Sequence, residues 1–139
     1  MTPSLANRQG YEQFIYAIPS LYPQVEKSTL IFLPIGRYLA KITGEASFKD
    51  DLRLKVLQLV DFGRAEILRY SYSVFREQEK LYWYDPQPHP HIPSLASTHP
   101  HHKHIPPDIK HNRIPAPGLS FEQPNLPLLI QEIITDLLG

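Results

Sequence analysis

Tyr11, Phe14, Ile15 and Ile18 recur with the i, i+3, i+4, i+7 spacing that lines up side chains on one stripe of an α-helix. Asn7 suits the cap before this stripe and Pro19 a stop after it, so a helix is expected over 7–19. From Thr29 the period changes. Thr29–Leu33 is a short apolar run, Pro34 and Gly36 break it, and Arg37–Thr43 resumes it. Leu52, Leu54 and Val56 then alternate with Arg53 and Lys55, as on a half-buried strand. Val56, Leu57, Leu59 and Val60 occupy both faces, which reads as a central strand covered on both sides. Glu66–Phe75 alternates cleanly, with Leu68, Tyr70, Tyr72 and Val74 on one face and Arg69, Ser71 and Ser73 on the other. Turns are expected at Asp61–Gly63 and Arg76–Lys80, and Leu81–Tyr84 is rich in strand formers. Strands this close in sequence join by hairpins, so 29–84 should form an antiparallel meander of about four strands.

A second helical stripe, Leu126, Leu129, Ile130, Ile133, Ile134 and Leu137, follows the cap residue Asn125 and the first-turn residue Pro127. Leu128 and Leu138 widen it beyond what one sheet face needs, which leaves part of the helix (125–138) for a homodimer contact. The expected fold class is α+β: one domain over 1–139, with an N-terminal and a C-terminal helix, a meander sheet, and a long loop over 85–124 before the last helix.

Composition changes the reading of that loop. All seven histidines lie between His89 and His111, and eleven of the fifteen prolines lie between Pro86 and Pro127. Each proline fixes its own φ and extends the residue before it, so such a loop holds a shape without helix or sheet. Imidazole exchanges protons near neutrality and, when neutral, binds metals. Fourteen basic and fourteen acidic residues cancel, which gives no whole-chain footprint for nucleic acid. The absence of cysteine excludes disulfides, a thiolate nucleophile and a zinc-finger pattern. No leader-like start and no apolar run of about 20 residues is present, so a cytoplasmic protein without a membrane span is expected.

The order Tyr70-Ser-Tyr72, Tyr84-Asp85, Pro88-His89 and Pro100-His-His-Lys-His104, ending in an amphipathic helix, resembles the TumE family of bacterial toxins. The likeness runs from about Leu30 to Leu138, and its specific part is Asp85–His104. Trp83 stands where the family often has Arg, Pro86 where it has Asn, and Pro90 where it has a second His that His91 replaces one place later. The resemblance implies the toxin half of a type II toxin–antitoxin pair, with a cognate antitoxin as partner.

Three chemistries fit the loop. Metal-independent RNA cleavage needs a base for the 2′-hydroxyl, an acid for the 5′-oxygen and a cation for the phosphoryl oxygens. His89, His102 and His104 are candidates for proton transfer, Lys103 and Arg113 for the phosphate, and Asp85 for orienting an imidazole. Tyr70, Tyr72, Trp83 and Tyr84 offer rings for unpaired bases. An extended backbone puts His102 and His104 on one side and His101, also a substrate-binding candidate, with Lys103 on the other. In a metal-binding hydrolase, the His-x-His pairs 89/91, 99/101 and 102/104 with Asp85 would hold zinc or nickel. In a non-catalytic module, the Pro-rich segment binds a protein partner. Against all three stands a plain structural use, in which each imidazole bonds a carbonyl and clamps the loop to the sheet.

Overall fold

The computed structural model describes residues 2–86, 101–110 and 112–138. Helix α1 is Arg8–Leu21 and helix α2 is Leu126–Asp136. Between them run β1 (Lys27–Ser28), β2 (Ile31–Ile35), β3 (Leu39–Ser47), β4 (Leu52–Asp61), β5 (Glu66–Arg76), β6 (Glu79–Asp85), β7 (His102–His104) and β8 (Arg113–Pro115). These form one antiparallel sheet in the order β1-β3-β4-β5-β6-β7-β8, with β2 also paired to β3. The class is α+β as expected, but among the described residues the sheet has eight strands rather than about four. The meander continues into the His/Pro-rich stretch, where β7 and β8 extend it past β6.

Asn7 caps α1 by accepting the Gly10 N–H at 2.9 Å. Pro19 lies inside the helix, which continues to Leu21 instead of stopping before it. Asn125 precedes α2 without a side-chain cap bond. Its amide accepts from the Ser120 N–H and donates to the Ser120 carbonyl, both at 3.0 Å, and donates to the Tyr72 hydroxyl at 3.2 Å. The second helix is therefore tied to the sheet by the residue before it rather than capped by that residue's side chain.

Both helices cover the same face of the sheet. Leu52, Leu54, Val56 and Val60 of β4 and Tyr72 and Val74 of β5 meet Tyr11, Phe14, Ile15 and Ile18 from α1 and Leu126, Leu129, Ile130 and Ile133 from α2 in one buried cluster. Strand β4 is covered on one side only, because Leu57 is 45% exposed. A register shift between Leu59 and Val60 also changes the reading of β5: Leu59 pairs with Arg69 and Val60 with Ile67, so Leu68 is the extra residue. Ile67 turns inward and Leu68 outward. Among the described residues, no helix is long and apolar enough to cross a membrane.

A polar chain runs through this core. The Gln58 amide donates to the Tyr11 hydroxyl, the Tyr72 hydroxyl donates to the Gln58 carbonyl oxygen at 2.5 Å, and Asn125 donates to Tyr72. All four residues are buried, so each bond answers a group that water cannot reach. Gln58→Leu keeps the volume but removes the donor to the Tyr11 hydroxyl and the acceptor for the Tyr72 hydroxyl, which keeps only its bond from Asn125. At about 1–3 kcal/mol per unsatisfied buried group, we expect a loss of roughly 2–4 kcal/mol in urea unfolding. A loss below about 1 kcal/mol would show that the two tyrosines find other partners.

Candidate functional site

Strand pairing assembles the site from residues that sequence alone leaves far apart. In β6 and β7, Asp85 stands opposite His102, Tyr84 opposite Lys103 and Trp83 opposite His104. In β7 and β8, His104 stands opposite Arg113. Alternation then sorts these side chains. Trp83, Asp85, His102, His104 and Arg113 share the face turned away from the helices, while Tyr84 and Lys103 share the helix-covered face.

On the outer face, Asp85 Oδ1 lies 3.3 Å from His104 Nε2 and 3.9 Å from His102 Nδ1. His104 stacks on Trp83 with ring centroids 3.9 Å apart and planes 15° from parallel. Its other nitrogen, Nδ1, lies 3.2 Å from the Ile109 carbonyl, to which Trp83 Nε1 also donates at 3.4 Å. Both His104 nitrogens thus face acceptors. A neutral ring donates to one of them and an imidazolium to both. All three polar groups are covered: Asp85 is 5% exposed, His104 1% and His102 0%. Asp85 Oδ2 and Arg113 Nε are buried with no hydrogen-bond partner among the described residues.

On the helix side, Glu132 of α2 organises a second group. Tyr84 donates to Glu132 at 2.6 Å, and Lys103 Nζ lies 3.7 Å from the same carboxylate. Lys103 also sits over the Tyr82 ring, 4.2 Å from its centroid. Burial first, and the hydrogen bond to Glu132 second, push the Tyr84 hydroxyl well above its ordinary range, so it remains a donor. Lys103 is therefore spent on α2, across the sheet from His102 and His104.

His101 precedes β7 and packs on this side too, 4.6 Å from Phe121 between ring centroids. Its Nδ1 lies 2.5 Å from the Tyr70 hydroxyl. Burial, and after it the charge of Asp85, raise the Tyr70 hydroxyl above its usual range. Tyr70 and Tyr72 stack on each other at 4.7 Å, and Tyr72 has no exposed surface.

The structure thus brings together Asp85, His102, His104 and Arg113, turns Lys103, Tyr84 and Tyr72 to the other face, and leaves Tyr70, bonded to His101, near enough for the charge of Asp85 to act on its hydroxyl. His89, with His91 and His99 of the proposed metal pairs, lies outside the described residues, as does His111. Among the described residues, no group of three or more His, Cys, Asp or Glu is arranged to hold a metal ion. Sequence reading missed the Ile109 carbonyl as the anchor of His104, and Glu132 as the partner of both Tyr84 and Lys103. An acidic residue flanking the apolar stripe of the last helix, one of two with Asp136, was the available signal for Glu132.

No curated protein and no solved structure matches the chain. The model of the family described as Toxin TumE matches residues 14–137, a span that contains the second helix stripe, all of the first but Tyr11, and every strand-borne group of the site. The chain belongs to the TumE toxin family.

Proposed function

We propose that this toxin cuts RNA, with Asp85, His102 and His104 as its proton-handling centre, and that a cognate antitoxin holds it in check. The observation that carries the reading is the placement of one buried carboxylate against two imidazoles, with the Arg113 cation on the same face. In the reaction, the 2′-hydroxyl gives its proton to one imidazole and attacks phosphorus. The bond to the 5′-oxygen breaks, and that oxygen takes a proton from a second imidazole. A 2′,3′-cyclic phosphate and a 5′-hydroxyl end result. Each positioned proton-transfer group contributes about 100- to 10,000-fold. Asp85 orients the rings, Arg113 stabilises charge on the phosphoryl oxygens, and His89 is a third candidate for proton transfer. Substrate access requires residues 105–110 to move, because the Ile109 carbonyl binds both Trp83 and His104.

The test is induced expression in a host that lacks the antitoxin, wild type beside His102→Gln/His104→Gln, with sequencing of RNA 5′ ends. Wild type should arrest growth and leave new 5′-hydroxyl ends. The double variant should do neither while its purified form still unfolds in one cooperative transition. Arrest with intact RNA would end the nuclease reading and leave the toxin reading standing.

One observation favours a second reading for His104 in particular. A ring stacked on tryptophan, with acceptors at both nitrogens, serves as a brace that pins residues 105–110 to the sheet.

A further inference from the structure

The helices leave the other face of the sheet open, and that face is not uniformly polar. A groove of about 540 Å³ crosses it, floored by Ile35, Leu39, Leu57 and Leu59 and edged by Lys41 and Arg69. A second hollow of about 260 Å³ continues it through the shared residues Leu57 and Ser71, with Lys55 and Lys80 on its rim. Ile31, Leu33 and Ile35 of β2 extend the apolar surface, each more than two-fifths exposed.

The charge that lines these two hollows has one sign. Four cations line the two hollows and no carboxylate does. Glu45, in register with Lys55, is already bound by Arg53 at 3.0 Å. In a chain of zero formal net charge, this is a local concentration of positive charge around an apolar floor.

We propose that the open face docks an acidic amphipathic helix of a partner protein, its apolar ridge on Leu57 and its carboxylates against Lys41, Arg69, Lys55 and Lys80. Three observations select that occupant. A sheet covered by helices on one face has the right surface to receive another helix on its second face. A second copy of this chain, docked face to face, would set the same cations against each other. Single-stranded RNA needs open aromatic faces, whereas Trp83 is stacked on His104 and has Lys80 5.1 Å from its ring centroid, and Phe75 has Arg53 at 5.0 Å. The groove also reaches Ser71, next to Tyr72, whose strand partner Tyr84 adjoins Asp85. An occupant would therefore lie beside the catalytic candidates.

The proposal stands apart from RNA cleavage and is tested by binding alone. The probe is a fluorescent helical peptide with a leucine ridge flanked by glutamates, titrated with the full chain. Its counterpart with glutamine for every glutamate and a single-stranded RNA are the comparisons. The acidic peptide should bind at least about tenfold more tightly than its glutamine counterpart, with affinity falling as salt rises. Lys41→Glu/Arg69→Glu, and separately Leu57→Asn, should each weaken it about tenfold without moving the thermal transition. Equal binding of the two peptides, or indifference to the exposed-face variants, would overturn the proposal. So would RNA binding that these same variants abolish, which would reassign the face to nucleic acid.

Discussion

Gly44→Ala should be the most damaging single change in the β-sheet, costing about 3 kcal/mol or more and shifting the thermal midpoint by on the order of 10 °C. Gly44 lies in the inward row of β3, opposite Val56, with φ at +133°, where a side chain is strained whatever the space around it. The space is also absent. A Cβ at this position would strike the Thr29 carbonyl oxygen and lie 2.8 Å from Leu30 Cα, both backbone atoms that cannot rotate away. The cause is local: β1 and β2 pair along the same edge of β3, and the chain between them passes directly over Gly44. Relief would require moving Leu30 out of the core, where it is 3% exposed. Urea unfolding of Gly44→Ala beside Gly36→Ala gives the measure, because Gly36 also has positive φ but nothing within 4 Å of its built Cβ. The Gly36 variant should lose far less. Equal losses would mean that conformational strain, not the crossing of Thr29 and Leu30, sets the cost.

What the sequence revealed divides by the range of the interaction. Alternation over Leu52–Val56 and the stripes of both helices were legible because they depend on neighbours a few residues away. The faces of β5 were half legible: Tyr70, Tyr72 and Val74 turn inward as their spacing says, but Leu68 does not. The reason is a register shift in its pairing with β4, which exchanges Ile67 for Leu68 and leaves no trace in the alternation itself. β7 and β8 are three residues each and take their stability from partners rather than from composition, so proline and histidine concealed them. The alternation His102-Lys103-His104 nonetheless forecast which residues would separate. It could not forecast that Lys103 would face Glu132, or that the His104 ring would be fixed by a carbonyl five residues on.

Asp85→Asn should leave the protein at least as stable as wild type while lowering the proposed RNA cleavage about 100-fold. The two expectations follow from the same geometry. Asp85 is 5% exposed, and its Oδ2 has no hydrogen-bond partner among the described residues, so burying this carboxylate costs folding energy that one bond from His104 repays only in part. An asparagine oxygen can accept the same bond from Nε2 with no charge to desolvate. If His104 were only a brace for residues 105–110, an amide at position 85 would serve it as well or better, and the cleavage rate would be unchanged. A carboxylate kept at a cost to stability points instead to a use for its charge, and stabilising an imidazolium between two proton transfers is such a use. The decisive measurement pairs a thermal transition with a cleavage rate on one preparation. A midpoint held or raised with the rate lost assigns Asp85 to the reaction. Full activity in the asparagine variant would assign Asp85 and His104 to holding residues 105–110, and would leave the proton transfers to histidines that Asp85 does not touch.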